Sequence, residues 1–219
     1  MLKAILFDID GVLVDTKESQ LKLREKFFKL AGYEDVPDEF FYDFHKPYGV
    51  LLADFLKSRN INDPEEVDRL ITMVKDPKVR SPDIIQMFKF HKELENTLEH
   101  LGKQYSLGIV TSRGQFGVQE VFNLRPIEKY FDTIITYDDC ENHKPHPEPL
   151  EKALEKLSLD PTQAIYIGDT NADIIAADSI GMPSMHLAES KHDLAHYHIS
   201  DFSEIINTIK LIEDENNNS

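Results

Sequence analysis

The chain has 219 residues, with 24 Lys and Arg against 40 Asp and Glu, a formal net charge of −16 at pH 7 and a single cysteine. That field repels nucleic acid and anionic membrane surfaces, no run approaches the ~18 apolar residues of a membrane span, and Cys140 has no partner for an intramolecular disulfide. The expectation is a cytoplasmic protein with neither a nucleic-acid nor a membrane partner, long enough for one large domain or for a domain with an insert, and either a monomer or a homodimer.

The chain enters an apolar run, Ala4 to Phe7, at once, which leaves no room for a signal peptide and suits a buried strand. This run delivers Asp8 and Asp10 to its carboxyl end, where open α/β sheets place their ligands. Asp10-Gly11 between two apolar runs is equally a β-hairpin signal, and the residues alone leave both readings open. A calcium loop does not fit, because the third acid and the closing glutamate are absent.

From Thr16 the pattern turns helical. Leu23, Phe27 and Leu30 share a face that Gly32 closes, and Leu52, Phe55 and Leu56 mark a second helix. Asp63 and Pro64 open a third in the N-cap and N1 positions, with Val67, Leu70, Ile71 and Val74 as its apolar stripe. These stripes can bury one another, so residues 16–81 read as a helical module inserted after the first strand.

From Leu94 helices and strands alternate. Leu94, Leu98 and Leu101 stripe a helix; Ser106 to Val110 is a strand, Gln115 to Phe122 a helix and Thr133 to Thr136 a strand. Leu150, Ala153, Leu154 and Leu157 stripe the next helix, Ala164 to Ile167 is a strand, Asn171 to Ile180 a helix capped by Asn171, and Ser184 to Leu187 a fifth strand. This alternation predicts an α/β fold with a parallel sheet and right-handed crossovers, spanning 1–15 and 82–213. Residues 214–219 are polar enough to be expected disordered.

Three later segments end apolar runs in polar groups: Ile109-Val110-Thr111-Ser112, His143-Lys144-Pro145, and Ile165-Tyr166-Ile167-Gly168-Asp169 with Asp173 beyond. Together with Asp8-Ile9-Asp10-Gly11 they form, in order, a D-x-D-G, a strand-end Thr/Ser, a loop Lys and a G-D-x-x-x-D. The chain thereby resembles the haloacid dehalogenase superfamily, in its phosphoglycolate phosphatase and β-phosphoglucomutase-like branch. The resemblance implies a Rossmann-like core with a helical cap, and a Mg2+-dependent phosphatase hydrolysing a small-molecule phosphomonoester through an aspartyl-phosphate.

The chemistry of the residues agrees with that implication. Asp8 is the candidate nucleophile, since a carboxylate of ordinary pKa near ~3.9 is ionised at pH 7 without a base. Its repulsion from phosphate calls for Mg2+, held by Asp8, the backbone carbonyl of Asp10 and Asp169. Asp10 is the candidate acid and base, with a proton favoured by the charges of Asp8 and Asp169. Thr111 and Ser112, just before a helix, are placed to hold the phosphoryl group. The resemblance implies that Lys144 pairs with Asp8 and the phosphate, and Asp173 is expected to orient Lys144 or a metal-bound water.

Two alternatives stand beside this reading. A sugar-phosphate mutase of the same family would need the histidine that falls at Gln20, and Gln20 cannot transfer protons. A receiver-like phosphate and metal switch would be shorter and would lack the helical insert. Substrate specificity is assigned to the segment from Phe44 to Gly49, which carries His45 and Lys46. His192, His196 and His198 have spacing that can bind zinc on a helix but no acid or cysteine beside them, and read as a solvated loop.

Overall fold

The computed structural model describes residues 1–42 and 48–217, apart from the side chains of residues 48, 216 and 217. The chain forms two compact units, one of Met1–Asp15 with Phe90–Ser219 and one of Thr16–Lys89. In chain order, β1 (Ala4–Phe7) and β2 (Val14–Asp15) lead into α1 (Lys17–Ala31), α2 (Glu39–Tyr42), α3 (Tyr48–Ser58), α4 (Pro64–Met73) and α5 (Pro82–Ile85). The chain returns through β3 (Lys89–Phe90) and then runs α6 (Leu94–Leu101), β4 (Ser106–Val110), α7 (Gln115–Leu124), β5 (Thr133–Ile135) and α8 (Glu148–Leu157). It finishes with β6 (Ala164–Gly168), α9 (Asn171–Asp178), β7 (Ser184–Leu187), β8 (Tyr197–Ile199) and α10 (Ile205–Asn217).

Six strands form one sheet in the order β5-β4-β1-β6-β7-β8, every neighbouring pair parallel. Ala4, Ile5, Leu6 and Phe7 of β1 are all completely buried, as a central parallel strand covered on both faces requires. The hairpin alternative at Asp10-Gly11 therefore falls. After Gly11 the chain does turn back, with Val14 N–H donating to Ile9 O at 3.1 Å, but β1 pairs with β4 and β6, and β2 pairs with β3. Strand order reverses at β1, so the crevice beyond the carboxyl ends of β1, β4 and β6 is where an open sheet receives a ligand. On one face Ala4, Leu6, Val110, Leu150, Leu154, Tyr166, Ala177 and Met182 pack as one cluster beneath α8 and α9.

Local signals explain most boundaries. Gly32, at φ 87°, adopts the left-handed conformation that ends α1 and returns its N–H to Lys29 and Phe28 carbonyls. Asp63 caps α4 by accepting from Glu65 N–H at 3.1 Å, with Pro64 at N1. The helical unit has its own core of Phe27, Phe28, Phe40, Leu51, Phe55, Leu70 and Ile84.

Several expectations need correction. The second crossing between units lies at Lys89/Phe90 rather than 81/82, because Pro82 begins α5 and Ile84 of that helix packs into the helical core. Thr170, not Asn171, caps α9: its hydroxyl and the Asp173 carboxylate form a reciprocal capping box. β8 was not expected, and it places His198 in a strand, which removes the helical spacing of the late histidines. α10 continues to Asn217, so the acidic segment from 214, expected to be disordered, is helical through that residue.

Candidate active site

Four acidic side chains and two cations meet at the carboxyl ends of the central strands. Asp8 follows β1 directly, its N–H donating to Ile167 O at 2.9 Å, and is 6% exposed. Lys144, equally buried, comes from the loop before α8 and spreads its ammonium protons over several acceptors. It donates to Asp173 Oδ1 at 2.6 Å, Tyr166 Oη at 2.7 Å and Val110 O at 3.3 Å, and lies 3.4 Å from Asp8 Oδ1 as an ion pair without a hydrogen bond. Asp173 is completely buried, and its second oxygen accepts from Thr170 N–H at 3.0 Å and Thr170 Oγ1 at 2.7 Å.

Asp10 is engaged differently from the sequence expectation. Arg113, from the loop after β4, grips it side-on, Nε to Oδ2 at 2.6 Å and Nη2 to Oδ1 at 2.7 Å, and rests Nη1 on Gly117 O at 3.4 Å. A bidentate guanidinium pair suits the ionised carboxylate, whereas like-charge repulsion alone would have favoured a proton there. Sequence reasoning did not single out Arg113 or Tyr166. A loop arginine reads as solvated and a strand tyrosine as core, and only the tertiary structure aims them at Asp10 and Lys144.

Two backbone positions make the crowding possible. Gly11, at φ 75°, faces the Asp169 carboxylate so closely that a Cβ would overlap it, and a Cβ on Gly168 would overlap the Asp173 side chain. Behind Asp169, His186 accepts the His192 N–H at Nδ1 (3.3 Å), so its proton sits on Nε2 and is donated to Asp169 O at 3.2 Å.

The electrostatics leave a cation-shaped deficit. Burial, reinforced by Asp173, Asp8 and Asp10, pushes the Asp169 carboxyl up to about 8. Burial likewise raises Asp8 to about 7, against the Lys144 ammonium and with help from Asp173 and Asp10. Burial works to raise Asp173 too, but Lys144 and Thr170 outweigh it and hold this carboxyl below its ordinary value. Lys144 is in turn held above its ordinary value by Asp173 and Asp8, in spite of burial. Asp8 Oδ1 and Asp169 Oδ1 are buried with no hydrogen-bond partner among the described residues. Asp8, Asp169 and Asp173 each bring an oxygen within 4.8 Å of the others. Asp173 is committed to Lys144 and Thr170, so Asp8 and Asp169 are the pair fitted to hold a hard divalent cation.

Thr111 is buried at the end of β4, where its Oγ1 accepts from Arg113 N–H at 3.2 Å, and Ser112 is half-buried beside it. The helix that follows offers less than expected, since the Asp138 carboxylate already takes the Gln115 N–H at 2.7 Å at the start of α7. The first N–H of that helix is therefore already engaged. Gln20 lies in α1 of the helical unit, donating from Nε2 to Thr16 Oγ1 at 2.8 Å. His45 and Lys46 fall outside the described residues, as does the side chain of Tyr48.

Residues 5–187 match the model of the haloacid dehalogenase-like hydrolase family. The chain is 32% identical over 216 residues to pyrophosphatase PpaX of Oceanobacillus iheyensis, covering 95% of this chain and 97% of that one. Among solved structures it is similar to a haloacid dehalogenase superfamily hydrolase, subfamily IA, of Geobacter sulfurreducens, at 25% identity and TM-score 0.69, covering 94% of this chain and 96% of that one. It also shares its fold with β-phosphoglucomutase of Clostridium difficile, at 23% identity and TM-score 0.82 over the whole of both chains. With its motif residues gathered at the strand ends of a six-stranded parallel sheet, the chain belongs to the haloacid dehalogenase-like hydrolase family.

Proposed function

We propose that the protein is a Mg2+-dependent phosphatase in which Asp8 is the nucleophile. The observation that carries this reading is that, among the described residues, Asp8, Asp10, Asp169 and Asp173 gather around two cations, Lys144 and Arg113, with a buried oxygen lacking a hydrogen bond on both Asp8 and Asp169. With all four carboxylates ionised, the two positive groups would leave two negative charges, which a divalent ion would offset. Bound at Asp8, Asp169 and the Asp10 carbonyl, Mg2+ would neutralise charge on the transferring phosphoryl group.

An Asp8 carboxylate oxygen attacks phosphorus, and the bond from phosphorus to the leaving oxygen breaks as the aspartyl-phosphate forms. Lys144 holds Asp8 from one side, and the Thr111 and Ser112 strand end receives the phosphoryl oxygens. In the second half a water attacks the phosphorus of the aspartyl-phosphate, Asp10 takes its proton, and the Asp8–phosphorus bond breaks to release inorganic phosphate. A positioned base of this kind contributes about 10²–10⁴ in rate.

The Arg113 grip on Asp10 bears on the substrate. An ionised Asp10 is ready for the second half but has no proton for the first, so a leaving group that departs as a stable anion is favoured over an alkoxide. Inorganic pyrophosphate and aryl phosphates have such leaving groups. The similarity to a pyrophosphatase over 95% of the chain supports the same direction. A mutase is disfavoured because Gln20 has no proton to transfer, and a receiver-like switch because it would label itself once rather than turn over.

The experiment is phosphate release from pyrophosphate, an aryl phosphate and an alkyl phosphate, with Mg2+ and after chelation. Repeated turnover is expected only with Mg2+, faster on the first two substrates. Undiminished turnover in EDTA would refute the metal, an alkyl phosphate preference would refute the role given to Arg113, and a single stoichiometric labelling would return the receiver reading.

A further inference from the structure

Tyr166 carries its ring in one environment and its hydroxyl in another. The ring lies completely buried in an apolar cluster with Leu6, Val110, Leu150, Leu154 and Met182, where a phenylalanine would pack equally well. The hydroxyl sits in the charged network: it accepts from Lys144 Nζ at 2.7 Å and faces Val110 O at 2.8 Å and Asp173 Oδ1 at 3.0 Å as acceptors for its own proton.

The ammonium has three protons to place. Asp173 and Tyr166 take two through the short bonds, and the third lies between Val110 O at 3.3 Å and Asp8 Oδ1 at 3.4 Å. Tyr166 therefore supplies the second acceptor and, by donating to Val110 O, competes with the lysine for that carbonyl. Without the hydroxyl, Val110 O becomes the ammonium's natural second acceptor, and Lys144 is drawn toward the sheet and away from Asp8.

We infer that Tyr166 is a positioning residue that keeps the Lys144 ammonium directed at Asp8 and the phosphoryl group it receives. The inference rests on the roles proposed above for Asp8 and Lys144, and concerns neither the metal nor the leaving group. Losing a partner that orients a metal-ligating side chain costs about 10–100-fold in affinity or activity, and a loss of that order is expected where the oriented group is the Lys144 ammonium.

The test is a double-mutant cycle on Mg2+-dependent aryl phosphate hydrolysis with Tyr166→Phe, Lys144→Met and the double variant. Tyr166→Phe is expected to lose at least about tenfold in kcat while keeping the Mg2+ activation constant within about twofold. The loss should vanish in the Lys144→Met background, so that the double variant is no slower than Lys144→Met alone. A purely structural role predicts independent, multiplying effects. Multiplying effects, or a Tyr166→Phe enzyme within twofold of wild type, would overturn the inference. A wild-type protein without turnover, or a fully active Lys144→Met, would instead overturn the reading beneath it. Should Tyr166→Phe fail to fold, the comparison is made with 3-fluorotyrosine incorporated throughout, which weakens each phenol oxygen as an acceptor and leaves the rings in place. Labelling should then slow the wild type at least twofold and leave Lys144→Met unchanged, and equal effects on both proteins would overturn the inference.

Discussion

The two units bury different things. In the helical unit Phe55 is ringed by Phe28, Tyr33 and Phe40 at centroid distances of 4.7, 4.9 and 5.3 Å, while the pairs Lys22–Glu25, Arg69–Glu66 and Lys89–Glu18 lie at the surface. Among its described residues one charge is deeply buried, Arg24, which donates from Nη1 to Phe41 O at 3.0 Å. The sheet unit instead buries Asp8, Lys144 and Asp173 together and leaves two carboxylate oxygens there without hydrogen bonds. Desolvating ions costs several kcal/mol each unless pairing offsets it. The helical unit is thus held by packing, whereas the sheet unit carries at its strand ends an electrostatic cost that a bound cation and substrate would relieve.

The sharpest way to break this contrast is Asp8→Asn. Activity should fall at least about a thousandfold, since the nucleophile is gone. The thermal midpoint should hold or rise, because the change removes a buried acid that burial has pushed up to about 7. A clear loss of stability measured by circular dichroism would mean that the Asp8–Lys144 pair holds the fold together rather than straining it.

Phe55→Ala addresses the other unit. Removing a fully buried phenylalanine costs about 3–5 kcal/mol. Hydrogen exchange should show α1, α3 and α4 losing protection while β1, β4 and β6 keep theirs. Equal loss in both units would show that their cores do not stand separately.

What the sequence made legible follows from locality. Asp8, Lys144, Asp169 and Asp173 each stand in a short polar pattern close after an apolar run, and the pattern of stripes and turns announced most elements of the sheet. Arg113 and Tyr166 escaped because their contacts join residues 103 and 22 positions apart, and neither residue type marks its neighbourhood. Ser81-Pro82 read as a boundary although a proline at N1 also starts a helix, which α5 does. β8 is three residues set among polar neighbours, too short for alternation to register. Leu30 and Ile71 lie on the expected apolar faces but are 47% and 53% exposed, because the aromatic cluster around Phe55 draws α1 and α4 in through Phe27, Phe28 and Leu70.

A smaller effect should appear in the pH dependence of the metal-free protein. Asp8 and Asp169 are raised from 3.8 to about 7 and about 8, so between pH ~4 and ~8 the folded chain binds more protons than the unfolded one. Stability contributed at this site therefore falls as pH rises through that window. Lys144, raised above its ordinary value, stays fully charged across the window and adds no slope there. In EDTA the thermal midpoint of the wild type should decline from pH 5 to 8 more steeply than that of Asp8→Asn. Millimolar Mg2+ should flatten the decline, since an ion that binds only the folded state stabilises it by mass action. An identical slope in wild type and variant would remove Asp8 as its source.

The smallest effect is expected where a charge pair is well formed but wet. Glu66 accepts from Arg69 Nε and Nη2 at 2.6 and 2.7 Å and from Tyr33 Oη at 2.8 Å, and the Arg69 bonds, then the Tyr33 bond, hold its carboxyl down at about 2. Its side chain and that of Arg69 are 27% and 46% exposed, so water screens the pair and its contribution stays below about 1 kcal/mol. A depressed carboxyl contributes above its unfolded value and loses that contribution as pH falls toward the folded one. The difference between wild type and Glu66→Gln in chemical denaturation should therefore be small at pH 7, smaller still in 1 M salt, and gone near pH 2. A cost above about 2 kcal/mol at pH 7 would place this pair among the fold's principal supports and erase the distinction between a unit held by packing and one strained by charge.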